Sequence, residues 1–210
     1  MRWMQLTAGA IALGLAGTAG PALGADAATF DYLEARYTVL GELDTRNRDA
    51  DMVGLGLEGS RAFSEYVFVR LVSDMYDVER NNGPDAPLDV FSVGPGVRVP
   101  LNAPGTVMLW GQLNYERISL TGNVGTGFGL DAGVRVQLTE QIDAGFTLKS
   151  ASTEADSVDI DYETWEFEGA WSINERIDLT ASLVNGEVDV DPGTDRDLEN
   201  LVRLGVRLPF

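Results

Sequence analysis

The stretch that decides the fold is residues 126–138, which read TGFGLDAGVRVQL. Apolar residues stand at every second position from Phe128 to Leu138, and glycine or polar residues fill the positions between them. Successive side chains of a β-strand point to opposite faces, so this spacing produces one apolar and one polar face. An amphipathic helix would repeat its apolar residues every three or four positions instead. The stretch therefore predicts a two-faced β-strand.

The same alternation recurs along the chain in ten segments. They lie near residues 30–40, 51–60, 65–74, 88–101, 106–116, 126–138, 142–151, 161–171, 176–185 and 198–210. Short connections at 61–64, 102–105, 139–141 and 172–175 alternate with longer ones at 41–50, 75–87, 117–125, 152–160 and 186–197, which are acidic except for 117–125. Strands of about ten residues with short periplasmic turns and longer external loops are typical of transmembrane barrels. A soluble sandwich has no need to sort its connections in this way.

Charges on the polar faces indicate which face points inward. An arginine or lysine turned to lipid at the midplane costs about 2–4 kcal/mol, whereas charges inside a barrel can pair. We therefore predict an all-β fold, a transmembrane antiparallel up-and-down β-barrel with ten strands, and keep eight strands as the alternative. The predicted lumenal charge network comprises Glu34, Arg36, Glu58, Arg70, Arg98, Glu116, Asp131, Arg135, Asp143, Lys149, Glu166, Glu168, Asp178, Arg203 and Arg207, and Asp74 shares its face.

One proline interrupts this pattern. Pro95 lies inside the fourth segment between Gly94 and Gly96, and proline cannot donate a hydrogen bond to a neighbouring strand. We expect a bulge or a split strand at this position.

The first segment predicts export. Residues 1–24 carry a single charge, Arg2, followed by an apolar stretch from Leu6 and then by small residues. This order is that of a secretory signal peptide. We predict cleavage near residues 24–27, which leaves residues 25–210 as the barrel.

The chain ends with NLVRLGVRLPF, in which apolar residues alternate up to a terminal aromatic residue, Phe210. This ending resembles the assembly signal of Gram-negative outer-membrane barrels, carried here by Val206, Leu208 and Phe210. Together with FDYLEARY near the start and GLDAGVRV in the middle, it makes the mature chain similar to small outer-membrane barrels of the OmpA, OmpX, OmpW and porin-like kind. The resemblance implies residence in the bacterial outer membrane, contact with lipopolysaccharide and insertion by the barrel assembly machinery.

Composition excludes several functions. The chain has no histidine and no cysteine, which removes Ser-His and Cys-His catalysis and thiolate or histidine metal sites. Its net charge of −18 repels phosphate backbones, so we expect no nucleic-acid partner. Glu166 and Glu168 could form an acid pair for hydrolysis, but we interpret them as members of the charge network. We predict no enzyme, no cofactor and no dedicated metal site, although divalent cations can bridge the acidic loops to lipopolysaccharide.

Two functions stay open at this point. The first is a porin-like or structural barrel with at most a narrow, cation-preferring channel. Ten strands lie close to the size at which side chains fill a barrel, so a path could run only beside the inward glycines Gly54, Gly94, Gly129 and Gly205. The second is a surface interaction or adhesion protein with a closed lumen and acidic binding loops.

Overall fold

The computed structural model describes residues 30–45, 48–80, 86–103, 105–120, 123–155, 158–191 and 196–210. These residues form β1 (Tyr32–Thr45), β2 (Arg48–Ala62), β3 (Val67–Arg80), β4 (Ala86–Pro100), β5 (Val107–Leu120), β6 (Asn123–Gln137), β7 (Ile142–Ala155), β8 (Val158–Asn174), β9 (Ile177–Asp191) and β10 (Arg196–Pro209). The predicted signal peptide and its cleavage region lie outside the described residues. Within the described part of the chain, no helix is long and apolar enough to cross a membrane.

The ten strands form one closed barrel. Each strand pairs antiparallel with its neighbour in the chain, and β1 pairs with β10 to close the sheet. This confirms the predicted all-β up-and-down barrel with ten strands and excludes eight. Both described ends of the chain and the short turns lie at one end of the barrel, which corresponds to the periplasmic end of outer-membrane proteins. We call the opposite end the hairpin end.

The middle of the barrel is apolar outside and polar inside. On β2, Leu55 and Leu57 are 58% and 41% exposed on the outer surface, whereas Glu58 on the other face is 4% exposed. The other strands repeat this pattern, as expected for a wall that faces lipid.

Toward the hairpin end the polarity of the two faces reverses. On β3, Tyr76 and Val78 are buried inside the barrel, and Asp77 and Glu79 are exposed outside. Charged residues outside and apolar residues inside are what a barrel surrounded by water requires. We therefore assign this part of the barrel, the rim, to the space beyond the lipid.

The prediction of five long loops, four of them acidic, is wrong for the residues that the structure describes. The strands continue instead through residues 41–45, 48–50, 75–80, 86–87, 117–120, 123–125, 152–155, 158–160, 186–191 and 196–197. Inward apolar side chains and cross-strand hydrogen bonds keep the strands paired beyond the membrane, so each is 14 to 17 residues long. Those acids of the predicted loops whose side chains the structure describes are outward residues of the rim.

The expected irregularity at Pro95 is also absent from the described strands. β4 runs unbroken and keeps its register with β3 through Val69 and Pro95. Its pairing with β5 skips Gly94 and Pro95 without a register shift. Bulges occur instead in β1 between Thr38 and Glu42, and in β10 between Leu198 and Leu201.

Candidate functional site

The lumen contains a chain of buried ion pairs at mid-height. The Arg36 guanidinium lies 2.9 Å from Glu58 Oε2 and 3.0 Å from Asp74 Oδ2. Arg70 contacts the other oxygen of Glu58 at 3.1 Å. Arg203 extends the chain from Asp74, at 3.7 Å, to Glu166, at 3.5 Å. Six charged side chains from five strands are thereby linked across the barrel, and each arginine has at least one carboxylate within reach.

A second group of ion pairs lies closer to the periplasmic end. Arg207 is almost fully buried and contacts Glu34 at 2.6 Å and Glu168 at 2.8 Å. Arg135 reaches Glu168 at 3.5 Å. Thr180 donates a further hydrogen bond of 2.9 Å to Glu34. This group connects β1, β6, β8, β9 and β10. It therefore links strands on both sides of the β1–β10 pairing that closes the barrel.

A third contact joins Lys149 and Glu116. The Lys149 ammonium lies 3.1 Å from Glu116 Oε1, and the Tyr162 hydroxyl donates a 2.9 Å hydrogen bond to Glu116 Oε2. Burying a carboxylate is costly unless it is paired and hydrogen-bonded. Glu116 meets both conditions.

Four predicted network residues lie apart from these groups. Arg98 sits at the periplasmic mouth, where it donates to the carbonyl oxygens of Glu65 and Ser64 and covers the ring of Phe30. The other three are the lumenal acids Asp131, Asp143 and Asp178. Asp131 Oδ1 and Asp143 Oδ1 have no hydrogen-bond partner among the described residues.

Sequence reasoning missed an aromatic layer on the periplasmic side of the charges. Phe30, Phe68, Met108 and Trp110 form a buried cluster inside the barrel, with the Phe30 and Phe68 rings 4.8 Å apart. Arg70 lies over the Trp110 ring at 5.1 Å. The alternation does place Phe68, Met108 and Trp110 on the inward face, so their position was the available signal. The assumption that large apolar residues face lipid concealed it.

Inward glycines make room for these side chains. A Cβ atom added at Gly133 would lie 2.7 Å from the Trp110 ring, and one at Gly129 would lie 2.8 Å from Glu116 Oε1. At Gly54 and Gly205 the space is taken by Tyr76 and Thr180. At Gly94 the backbone of Leu113 and Asn114 occupies that space. The expectation that these four glycines leave room for a path is therefore wrong, because neighbouring side chains or backbone occupy the space beside each of them.

We call the lumenal ion pairs described above the charged layer. On its hairpin side lies an apolar cavity of about 140 Å³. Apart from Val190, its apolar wall belongs to two clusters of rim residues, which share Leu88. The wall residues are Leu43, Met52, Tyr76, Leu88, Val90, Ile118, Ile160, Tyr162, Val184, Val188, Val190, Leu198 and Leu201. Its floor is charged and includes Arg36, Asp74, Asp131, Lys149, Glu166 and Arg203. We call this space the rim chamber; sequence reasoning did not foresee it.

The candidate acid pair is engaged in the lumenal ion pairs. Glu166 and Glu168, the candidate acid pair, are both engaged by arginines, at 3.5 Å to Arg203 and 2.8 Å to Arg207. Among the described residues, no group of three or more acids is arranged to hold a metal ion.

Known structures resemble this barrel, although no family model and no curated protein matches the chain. An outer membrane channel from Pseudomonas putida F1 superposes with a TM-score of 0.53 at 11% identity, covering 91% of this chain and 98% of that chain. The fold is that of a bacterial outer-membrane barrel. The predicted resemblance to small Gram-negative barrels is thus confirmed at the level of the fold.

Two further similarities are more distant. Neisserial surface protein A (NspA) matches with a TM-score of 0.41 at 11% identity, covering 85% of this chain and 96% of that chain. OprG from Pseudomonas aeruginosa matches with a TM-score of 0.45 at 12% identity, covering 88% of this chain and 99% of that chain.

Proposed function

We propose that this protein is a non-catalytic β-barrel of the bacterial outer membrane whose lumen admits at most small cations. The supporting observation is the filling of the lumen. Buried ion pairs cross it at mid-height, and the aromatic layer lies beneath them. Any path through such a filling is narrow, and the acidic rim at its mouth attracts cations within a Debye length of about 8 Å.

Single-channel recording in planar bilayers tests this proposal. We expect a small, cation-preferring conductance, well below that of a general diffusion porin. Replacing Arg135 and Arg203 together by alanine should increase it, because both side chains are buried in the charged layer. Arg61→Ala is the matched control, since Arg61 pairs with Asp31 beside the periplasmic turn. If neither the native protein nor the double variant conducts, the channel part of the proposal fails.

Location and assembly belong to the same proposal. The protein would be exported through the periplasm, inserted by the barrel assembly machinery and surrounded by lipopolysaccharide in the outer leaflet. Fractionation of the cell envelope, followed by heat-modifiable gel migration of the extracted protein, tests both location and barrel. Recovery from the inner membrane would contradict the proposed location.

A surface interaction role is the second candidate. The observation that favours it is the exposed face of the rim, where Asp161 stands opposite Asp189 and Glu163 opposite Glu187. Four acids on adjacent strands present a dense negative surface to a cationic partner. Binding of a lysine-rich peptide to the barrel in nanodiscs should weaken when Glu187 and Asp189 become amides. Equal binding by both proteins would remove this candidate.

A further inference from the structure

The rim chamber differs from the rest of the lumen in chemistry. Most of its lining is aliphatic or aromatic, with Thr147, Thr164 and Arg196 as polar members outside the charged floor, and Leu201 and Met52 are each 1% exposed. A lumen that only carried ions through water would have a polar wall at this height as well. Unfilled apolar space also lowers the stability of a fold. An unfilled apolar chamber in the rim is therefore a feature that a ligand would explain.

The size of the chamber limits the ligand. Its volume is about 140 Å³. An engineered apolar cavity of about 150 Å³ in another protein stays dry and binds benzene. The body of a ligand in the rim chamber would thus be a single ring or a chain of similar bulk.

The floor of the chamber selects the head group. Arg203 Nε, a donor, and Asp131 Oδ1, an acceptor, have no hydrogen-bond partner among the described residues. Glu166 Oε1 also accepts no hydrogen bond there, and its one contact given is the 3.5 Å ion pair with the Arg203 guanidinium. All three side chains line the chamber, and Arg203 and Asp131 are 8% and 2% exposed. A hydroxyl group can accept from a guanidinium and donate to a carboxylate at the same time. A carboxylate at this position would be repelled by the like charges of Glu166 and Asp131, and an ammonium group would be repelled by that of Arg203.

We propose that the rim chamber binds a small, uncharged amphipathic molecule with an apolar body of about one ring and a hydroxyl head directed at Arg203 and Glu166. The ligand class is thus that of simple phenols and alcohols of similar size. This inference is independent of conduction, because the chamber lies above the charged layer and binding there needs no path beneath it.

Calorimetric titration of the full chain in nanodiscs tests the proposal, with empty nanodiscs as the blank for partition into lipid. The probes are p-cresol, p-toluate and p-methylbenzylamine, which share a ring and differ in head group. We expect one saturable site for p-cresol and binding at least about tenfold weaker for the two charged probes, because each places a charge beside a buried like charge.

Variants locate the site. Val188→Phe fills the chamber from its wall and should weaken p-cresol binding at least about tenfold by steric exclusion. Val202→Phe is the matched control, since Val202 lies on the outer face opposite Leu40 and Leu183 and does not line the chamber. Arg203→Lys keeps the charge, removes the Nε donor and should reduce the preference for p-cresol over p-toluate.

Heat-modifiable migration establishes that each variant is folded before its binding is compared. If Val188→Phe does not fold, Val190→Phe fills the same chamber from the next inward position of β9. The proposal is overturned by p-cresol binding no greater than in empty nanodiscs, or by unchanged binding in a folded chamber variant. Equal affinity for all three probes would overturn the assignment of the hydroxyl head.

Discussion

At the scale of single residues, the buried arginines are the side chains whose loss the barrel tolerates least. Arg36 donates to both Glu58 and Asp74, and its side chain is 5% exposed. Removing one partner of a buried ion pair leaves an uncompensated charge in a poorly hydrated space. Arg61 also pairs with a carboxylate, that of Asp31, but its side chain is 21% exposed and water can replace the contact.

We predict that Arg36→Met lowers the free energy of unfolding by about 3–5 kcal/mol, because Glu58 and Asp74 each lose a positive partner. Arg61→Gln should change it by about 0–1 kcal/mol. Urea unfolding of the protein in lipid vesicles, followed by heat-modifiable migration, measures both values. Similar losses for the two variants would mean that the lumenal ion pairs contribute no more than an exposed one.

A second prediction at this scale concerns Phe210. Its side chain is 56% exposed on the outer surface, and its backbone N–H donates to Asp31 O at 3.1 Å. Because the chain end resembles the assembly signal of outer-membrane barrels, Phe210→Ala should reduce the amount of protein in the outer membrane and increase the amount in the periplasm. Phe63→Ala is the control, since Phe63 is also an exposed phenylalanine, at 68%, in a turn at the same end. Normal outer-membrane levels of Phe210→Ala would contradict the proposed role of this residue.

At the scale of the strands, the bulge in β10 marks the height at which the wall changes polarity. Asn200 lies in this bulge with φ of 53°, and its N–H donates to Asn185 Oδ1 at 2.8 Å. Leu198 and Leu201, on either side of Asn200, face the chamber. Arg203, the next inward residue, belongs to the charged layer at the chamber floor. The bulge adds one residue to β10 where its register with β9 shifts. Inward side chains of β10 therefore stay beside those of β9 on both sides of the shift.

This geometry predicts a residue preference at Asn200. The left-handed conformation suits asparagine and glycine but costs a β-branched residue about 1–2 kcal/mol or more. Asn200→Val should therefore destabilise the barrel by at least about 1 kcal/mol, and Asn200→Gly should change its stability by a few tenths. Thermal unfolding in vesicles would separate the two variants. An equal loss for both would show that the Asn200 side chain, and not its backbone conformation, is what the bulge requires.

At the scale of the whole molecule, charge is distributed in opposite ways in the lumen and on the rim. Inside, acids alternate with arginines and lysine across the barrel. Outside, acids face acids: Asp51 stands opposite both Glu42 and Glu79. Like charges on directly opposed residues of neighbouring strands are destabilising. The rim is therefore held together by its apolar interior, against repulsion on its outer surface.

This imbalance predicts a dependence of stability on salt. Sodium chloride should raise the melting temperature by screening the rim acids. In membranes that contain lipopolysaccharide, magnesium should raise it further at equal ionic strength, because a divalent cation can join a carboxylate to an anionic lipid. The Glu187→Gln and Asp189→Asn double variant should respond less to both salts. A melting temperature that does not change on chelation in these membranes would contradict bridging by divalent cations.

The alternation along the chain predicted ten strands, with eight as the alternative, and their up-and-down order and closure. This succeeds because side-chain direction in a strand is a local property that repeats every two residues. The partners of the charges are not local. Arg207 meets Glu168 and Arg36 meets Asp74 only because the strands pair in one particular register.

The tertiary structure alone decided how the lumen is filled and where the membrane part ends. Phe68 and Trp110 share an inward face with charged residues, and only the curvature of the closed barrel brings their rings together. Acids beyond the membrane follow the same alternation as strand residues but with reversed polarity, so the sequence alone suggested loops there. The rim chamber depends on both effects, since its wall comes from the extended strands and its floor from charges that meet only when the barrel closes.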